Sequence, residues 1–327
     1  MDKDNMDIVV RNLSKSFQAV KAVDDISFEV RTGELFGFLG PNGAGKTTTI
    51  KMITGLARPY SGTIITAGID CSQNPKAAQH LIGAVPDESN LYPELTGFQN
   101  LCFCASLYGI GKAEREREAG RLLEVFGLSE AANRKFGGYS KGMKRKLTIA
   151  AGIIHKPRVL FLDEPTTGID VASARALRVM IKDLNRQGTT IFLTTHYIEE
   201  AERLCDRIAF IVSGKIVATD TVQNLLKHHE GKHFLHVTHQ GKNADIAEKL
   251  SASFDAMSFS FAKDNTFRVE SSQPINITPL IKFLEELGID VVEARRITPS
   301  LEEVFVRITG LEAETMQRDK EKKGGGK

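Results

Sequence analysis

The sequence lacks any apolar run approaching the roughly 20 residues needed to span a bilayer, so a membrane connection is expected only through another chain. It also lacks a recognisable secretory signal: Met1-Asp2-Lys3-Asp4-Asn5 is charged and no apolar stretch follows it. Charge of one sign is missing too. The 43 Lys and Arg against 41 Asp and Glu leave +2 over 327 residues, in a mixed distribution, so nucleic acid is not an expected partner. Cysteine is scarce: Cys71, Cys102, Cys104 and Cys205 form no C-x-x-C metal pattern and suit a reducing compartment, where they serve as small core residues. What is present is a hydrophobic content of 41%, over a length that allows two domains of about 150 residues each.

The most informative stretch is Gly40-Pro41-Asn42-Gly43-Ala44-Gly45-Lys46-Thr47-Thr48, which matches G-x-x-x-x-G-K-[ST] in full. The apolar Leu35-Phe36-Gly37-Phe38-Leu39 reads as a buried strand entering it, and a helix is expected from Lys46 through Met52. The glycines let successive N–H groups turn inward onto a phosphate chain, and the helix adds its positive end. Lys46 is placed to reach the β- and γ-phosphates and Thr47 to ligate Mg²⁺; Asn42, Gly43, Ala44, Gly45 and Thr48 complete the cradle. The site expected is therefore one for a nucleoside triphosphate such as ATP, with Mg²⁺.

Around this loop the chain alternates in character. Ile8-Val9-Val10, Ala22-Val23 and Ile26 to Val30 read as three antiparallel strands. Phe17, before the second of them, is either a core residue or a platform for a base. Residues from about Thr96 to Phe126 are helix-forming, and the run Glu114-Arg115-Glu116-Arg117-Glu118 reads as a solvated face. This is a helical lobe inserted after the phosphate loop. It ends near Tyr139-Ser140-Lys141-Gly142-Met143, where Ser140 begins a second helix with an anion-binding start and no phosphate of its own to bind.

Arg158-Val159-Leu160-Phe161-Leu162-Asp163-Glu164 is an apolar run ending in two carboxylates. It suits a central parallel strand whose C-terminal end faces a ligand. Asp163 suits a Mg²⁺-bound water, and Glu164 suits the base for an attacking water. Ile191 to Thr195 is another buried strand, and His196 at its end is either structural or a contact to the γ-phosphate.

This ordered set resembles the ATP-binding cassette (ABC) ATPases, the motor subunits of ABC transporters. Gly40 to Thr48 resembles Walker A, Tyr139 to Met143 the LSGGQ signature, and Leu160 to Glu164 Walker B with the catalytic Glu; Gly168-Ile169-Asp170 resembles the D-loop and His196 the switch histidine. The resemblance implies a head-to-tail pair of cassettes, in which Ser140 and Gly142 of one close on the γ-phosphate held by the other. Two positions depart from the pattern. Asp87 stands where the family usually has a Gln that touches Mg²⁺ and the attacking water, and could still reach Mg²⁺ through water. Lys141 and Met143 replace a Gly and a Gln of the signature.

The fold expected is α/β: a P-loop NTPase with an antiparallel β subdomain over residues 6–222, with the helical lobe at about 93–154. Beyond it the order β-α-β-β-α-β predicts a small ferredoxin-like α+β domain over 223–310, followed by a disordered tail, 311–327. Pro299 to Phe305 resembles the C-terminal motif of the drug- and sodium-exporting (ABC-2 type) branch. His228, His229, His233, His236 and His239 cluster without an evident metal-ligand set. The function expected is the ATPase subunit of an exporter, peripheral on the cytoplasmic face of the membrane and working on a separate transmembrane permease subunit. The alternatives are a soluble ABC ATPase of translation or DNA repair and a non-hydrolysing nucleotide sensor, against which Glu164 argues.

Overall fold

The structure is a computed structural model that describes residues 5–227, 233–240, 246–261, 265–297 and 300–311. The chain divides into two compact units, residues 1–222 with 305–327, and residues 223–304.

The first unit opens with β1 (Met6–Phe17) and β2 (Val20–Arg31), then β3 (Leu35–Leu39) and α1 (Lys46–Ile53). The expected separate strands at Ala22-Val23 and Ile26–Val30 are one strand. Its register shifts opposite Leu13, and Asn12 and Asp25 take left-handed φ of 47° and 53° there. A bulge of this kind breaks the alternation in sequence without ending the strand. Next come β4 (Ser61–Thr66), β5 (Ile69–Asp70), α2 (Pro75–His80) and β6 (Ile82–Val85). The lobe is α3 (Gly97–Leu107), α4 (Lys112–Val125) and α5 (Lys141–Ile153). Thr96 starts α3 with a reciprocal capping box to Gln99. Glu118 is not on the solvated face that its charge run suggests; it is buried, with Arg121 2.6 Å away.

The unit then runs β7 (Val159–Asp163), α6 (Val171–Arg186), β8 (Thr190–Thr195), α7 (Ile198–Leu204), β9 (Arg207–Val212) and β10 (Lys215–Thr221), and α8 (Val222–Lys227) follows across the boundary. Its two sheets are β2-β1-β4-β5, antiparallel, and β10-β9-β3-β8-β7-β6, parallel except for the edge pair β10–β9. β3, β7 and β8 are buried at every position, as expected of strands covered on both faces. The two sheets meet through aromatic rings. Phe28 of β2 lies 5.8 Å from Phe36, 5.5 Å from Phe38 and 5.8 Å from Phe192. Pairs at this spacing add about 0.5–1.5 kcal/mol each beyond the area they bury. Because β3, β7 and β8 run parallel, their C-terminal ends fall side by side, and this places Gly40, Glu164 and His196 together.

The second unit holds β11 (His233–Gln240), α9 (Ile246–Ser253), β12 (Met257–Phe261), β13 (Thr266–Ser271), α10 (Ile277–Glu286) and β14 (Asp290–Ile297), with α11 (Leu301–Thr309) beginning in it. Its antiparallel sheet has the order β12-β13-β11-β14. That is the connectivity of a ferredoxin-like fold, with α9 and α10 packed on one face through Leu250, Leu280 and Leu284. Phe305, in the last helix, packs edge-on against Phe210 at 5.4 Å and so belongs with the first unit. Among the described residues no three His, Cys, Asp or Glu are grouped to hold a metal. His228, His229, Pro299 and the tail from Glu312 lie outside them.

Candidate nucleotide site

A cleft of about 230 Å³ is lined by Ala22, Pro41, Asn42, Gly43, Gly45, Lys46, Thr47, Thr48, Asp87 and Glu164. The loop after β3 can form it only with glycine at Gly45. Its φ is 106°, and a Cβ there would lie 2.3 Å from the Ala22 carbonyl oxygen. α1 starts at the next residue, Lys46, whose side chain is buried. Lys46 Nζ donates to the carbonyls of Gly40 (2.6 Å) and Pro41 (3.3 Å) and lies 3.3 Å from Glu164 Oε1. Thr47 Oγ1 donates to Asp163 Oδ2 at 2.9 Å, and Asp163 Oδ1 accepts from Thr194.

Glu164 follows β7 with a left-handed φ of 49°. Such a conformation costs a non-glycine residue of order 1–3 kcal/mol and has to be held by its surroundings. Its N–H donates to the Thr194 carbonyl at 3.1 Å, which ties it to β8. Its carboxylate lies between Lys46 and His196, whose Nδ1 is 2.7 Å from Oε2. An ionised carboxylate only accepts, so Nδ1 carries the proton. Burial pushes the Glu164 carboxyl up, but the His196 hydrogen bond and the Lys46 charge outweigh it and hold the pKa below the usual 4.5. Oε1 is buried and faces Lys46, while Oε2 also accepts from Thr167 Oγ1 at 3.2 Å.

Lys46, Thr47, Asp163, Glu164 and His196 thus form one connected set, and Asp87 joins them at the cleft wall. His196 touches Glu164 directly, a partner not anticipated for it. Phe17 stands apart and is 53% exposed at the end of β1, in the hairpin whose β2 strand carries Ala22 to the cleft. Ser140 and Gly142 do not line the cleft. Ser140 caps α5 by accepting from Met143 N–H at 3.3 Å. Gly142 lets α5 approach α6 closely, for a Cβ there would sit 2.6 Å from Ser173 Oγ and 3.0 Å from Ser173 Cβ. We therefore expect Gly142→Leu to lose about 1–3 kcal/mol of stability by overpacking, read as a lower thermal midpoint, with the Lys46 cradle still able to bind ATP.

One participant is invisible in the motifs. Arg145 of α5 is buried, and its guanidinium bonds carbonyls at or just past the C-terminal ends of β6 and β7. The sequence shows only a basic residue in a basic helix start.

The residues present fit a nucleotide with a divalent cation. The cradle admits no Cβ at Gly45, Lys46 brings a buried cation, and Thr47 with Asp163 offers two adjoining oxygens. A hard cation that keeps waters and takes the rest of its ligands from phosphate needs no more protein than this.

Fold and site together define a P-loop nucleotide hydrolase with a helical lobe between its two phosphate-side motifs. The ABC transporter family matches residues 23–167. The linearmycin resistance ATP-binding protein LnrL of Bacillus subtilis is 36% identical over 91% of this chain and 97% of its own length. The doxorubicin resistance ATP-binding protein DrrA of Mycobacterium tuberculosis is 36% identical over 94% and 95%. The Nod factor export ATP-binding protein I of Burkholderia orbicola is 36% identical over 92% and 96%. A solved ATP-binding subunit of an ABC transporter superposes with a TM-score of 0.63 at 33% identity, over 68% of this chain and 93% of that one. The chain belongs to the ATP-binding subunits of ABC transporters, and is an ATPase of that family. A dimeric cassette in a post-hydrolysis state with ADP and Pi shares the fold, with a TM-score of 0.62 at 24% identity over 66% of this chain and 98% of that one.

Proposed function

We propose that this chain hydrolyses ATP to drive export through a separate membrane subunit, working as one of two paired cassettes on the cytoplasmic face of the membrane. The observation that carries the chemistry is the Glu164 carboxylate, ionised and fixed between Lys46 and His196 beside the phosphate cradle. The backbone N–H groups from Asn42 to Thr48 and Lys46 hold the β- and γ-phosphates. Thr47 and Asp163 would hold Mg²⁺, with Asp87 contributing through water, and the bound ion would supply neutralising charge to the phosphate oxygens. Glu164 takes a proton from the attacking water as the new oxygen–phosphorus bond forms and the bond to the bridging oxygen of ADP breaks. His196 keeps Glu164 in place, and Phe17 stacks on the adenine. Ser140 and Gly142, which have no phosphate in their own chain, serve the nucleotide of the second cassette.

Export rather than translation or DNA repair is supported by the relatives, which are named for drug resistance and export. No helix among the described residues is long and apolar enough to cross a membrane, and we assign the transport path to the separate membrane subunit. A groove of about 460 Å³ between the core and the lobe, with Leu56, Leu91, Leu107 and Tyr108 in its wall, is the surface we assign to that chain.

The test is capture of tagged Glu164→Gln protein, with ATP and Mg²⁺, from detergent-solubilised native membranes. A stoichiometric polytopic membrane protein is the expected companion. Ribosomal or DNA-repair partners alone would overturn the export reading.

A further inference from the structure

Arg145 makes four hydrogen-bond contacts, all to main-chain carbonyls. Nε donates to Pro165 (2.8 Å) and Nη2 to Asp163 (2.6 Å), while Nη1 donates to Asp87 (3.1 Å) and, more closely, to Pro86. The acceptors fall on two segments that both reach the nucleotide cleft. Pro86 and Asp87 follow β6, and Asp87 lines the cleft. Asp163 and Pro165 flank Glu164, the residue with the left-handed φ. A second tie runs parallel to the first: the hydroxyls of Thr148, one turn further along α5, and Ser89 are hydrogen-bonded at 2.8 Å. Burial lowers the Arg145 pKa, and Asp87, Asp163 and Glu164 oppose it only in part. A planar cation with five donors in a fixed fork is what such an arrangement requires; a Lys ammonium has three donors on one atom and cannot span the same four carbonyls.

We infer that Arg145 is a positioning residue for hydrolysis: it fastens α5, whose N-cap is Ser140, to the Asp87 loop and to the carbonyls of Asp163 and Pro165 on either side of Glu164. The end of α5 and the chain's own hydrolytic residues are thereby set in one fixed relation. Arg145 does not line the cleft itself, so its loss acts through Glu164 and Asp87 and spares the phosphate cradle. The inference rests on Glu164 being the base, which is tested separately by Glu164→Gln.

The experiment measures ATP affinity by calorimetry, kcat and KM by phosphate release, and the thermal midpoint, for Arg145→Met and Arg145→Lys. Arg207→Met is the control, because Arg207 pairs with Glu34 at 3.1 Å at the start of β9, away from the strand ends that form the cleft. Below the unfolding range, Arg145→Met should keep ATP affinity within about twofold and lose roughly 10- to 100-fold in kcat, the scale of a misplaced catalytic group. Arg145→Lys should regain little of it, and Arg207→Met should lose stability without the kcat defect. Wild-type kcat in Arg145→Met overturns the inference. So does a kcat loss shared by Arg207→Met at equal stability, or a loss of ATP affinity matching the loss of kcat. If Glu164→Gln itself turned over normally, the base would be misassigned whatever Arg145 did.

Discussion

Glu164→Gln should lower ATP turnover by at least about 100-fold, the lower end of what a positioned general base contributes, while ATP still binds. The amide keeps the shape of the carboxylate and can still accept from His196 Nδ1, now 2.7 Å from Oε2. It cannot take a proton from water. Binding should hold or tighten, because the substitution removes a negative charge next to the γ-phosphate site and leaves the loop from Gly40 to Thr48 untouched. The pH behaviour has a definite sign. The folded carboxyl titrates below its ordinary 4.5, so the base is ionised throughout the neutral range and activity falls only at acid pH. The same shift contributes stability that is present above the unfolded value and lost as pH falls through the folded one. The variant should therefore lack that part of the acid dependence of unfolding. Phosphate release, ATP calorimetry and size-exclusion chromatography with ATP check these outcomes, with the paired state expected to accumulate. Turnover near that of the wild type would remove Glu164 from the role of base.

The parts of this site legible in the sequence are those whose chemistry needs a fixed local spacing. The phosphate loop is one continuous segment because the N–H groups that hold phosphate are consecutive. Asp163 and Glu164 were readable because an apolar strand must end before its carboxylates can face a ligand. The second unit was readable because its strands and helices alternate in a short, regular order. What escaped depends on distant backbone. Arg145 bonds only carbonyls, which every residue has, so no pattern of side chains marks its partners. The bulge near Asp25 breaks the period of two, so β2 reads in sequence as two strands. Glu118 looked solvated because a charge run shows composition and not which residue turns inward to Arg121. The contact between His196 and Glu164 joins residues 32 apart through the pairing of β7 with β8, a register that neither strand's sequence states.

Lys46→Ala should separate two functions of one cation. Its buried ammonium pairs with Glu164 from the phosphate-loop side at 3.3 Å. A hydrogen bond to a charged group contributes about 1.5–3 kcal/mol, so ATP affinity should fall roughly 10- to 100-fold on the scale of 1.4 kcal/mol per decade. The second effect needs no nucleotide. With Lys46 removed, the hydrogen bonds from His196 and Thr167 would still oppose the upward push of burial on Glu164, but the Lys46 charge would not, and the carboxyl pKa should rise. A buried carboxylate stripped of its partner destabilises the fold, whereas removing both members of such a pair costs much less. The double variant Lys46→Ala with Glu164→Gln should thus be more stable than Lys46→Ala alone, a non-additivity that thermal unfolding of all four proteins measures. ATP affinity should stay low in the double variant, because neutralising Glu164 does not replace the charge that met the phosphates. Additive stabilities would mean that the Lys46–Glu164 contact carries no coupling, and unchanged ATP affinity in Lys46→Ala would mean that the phosphates are held elsewhere.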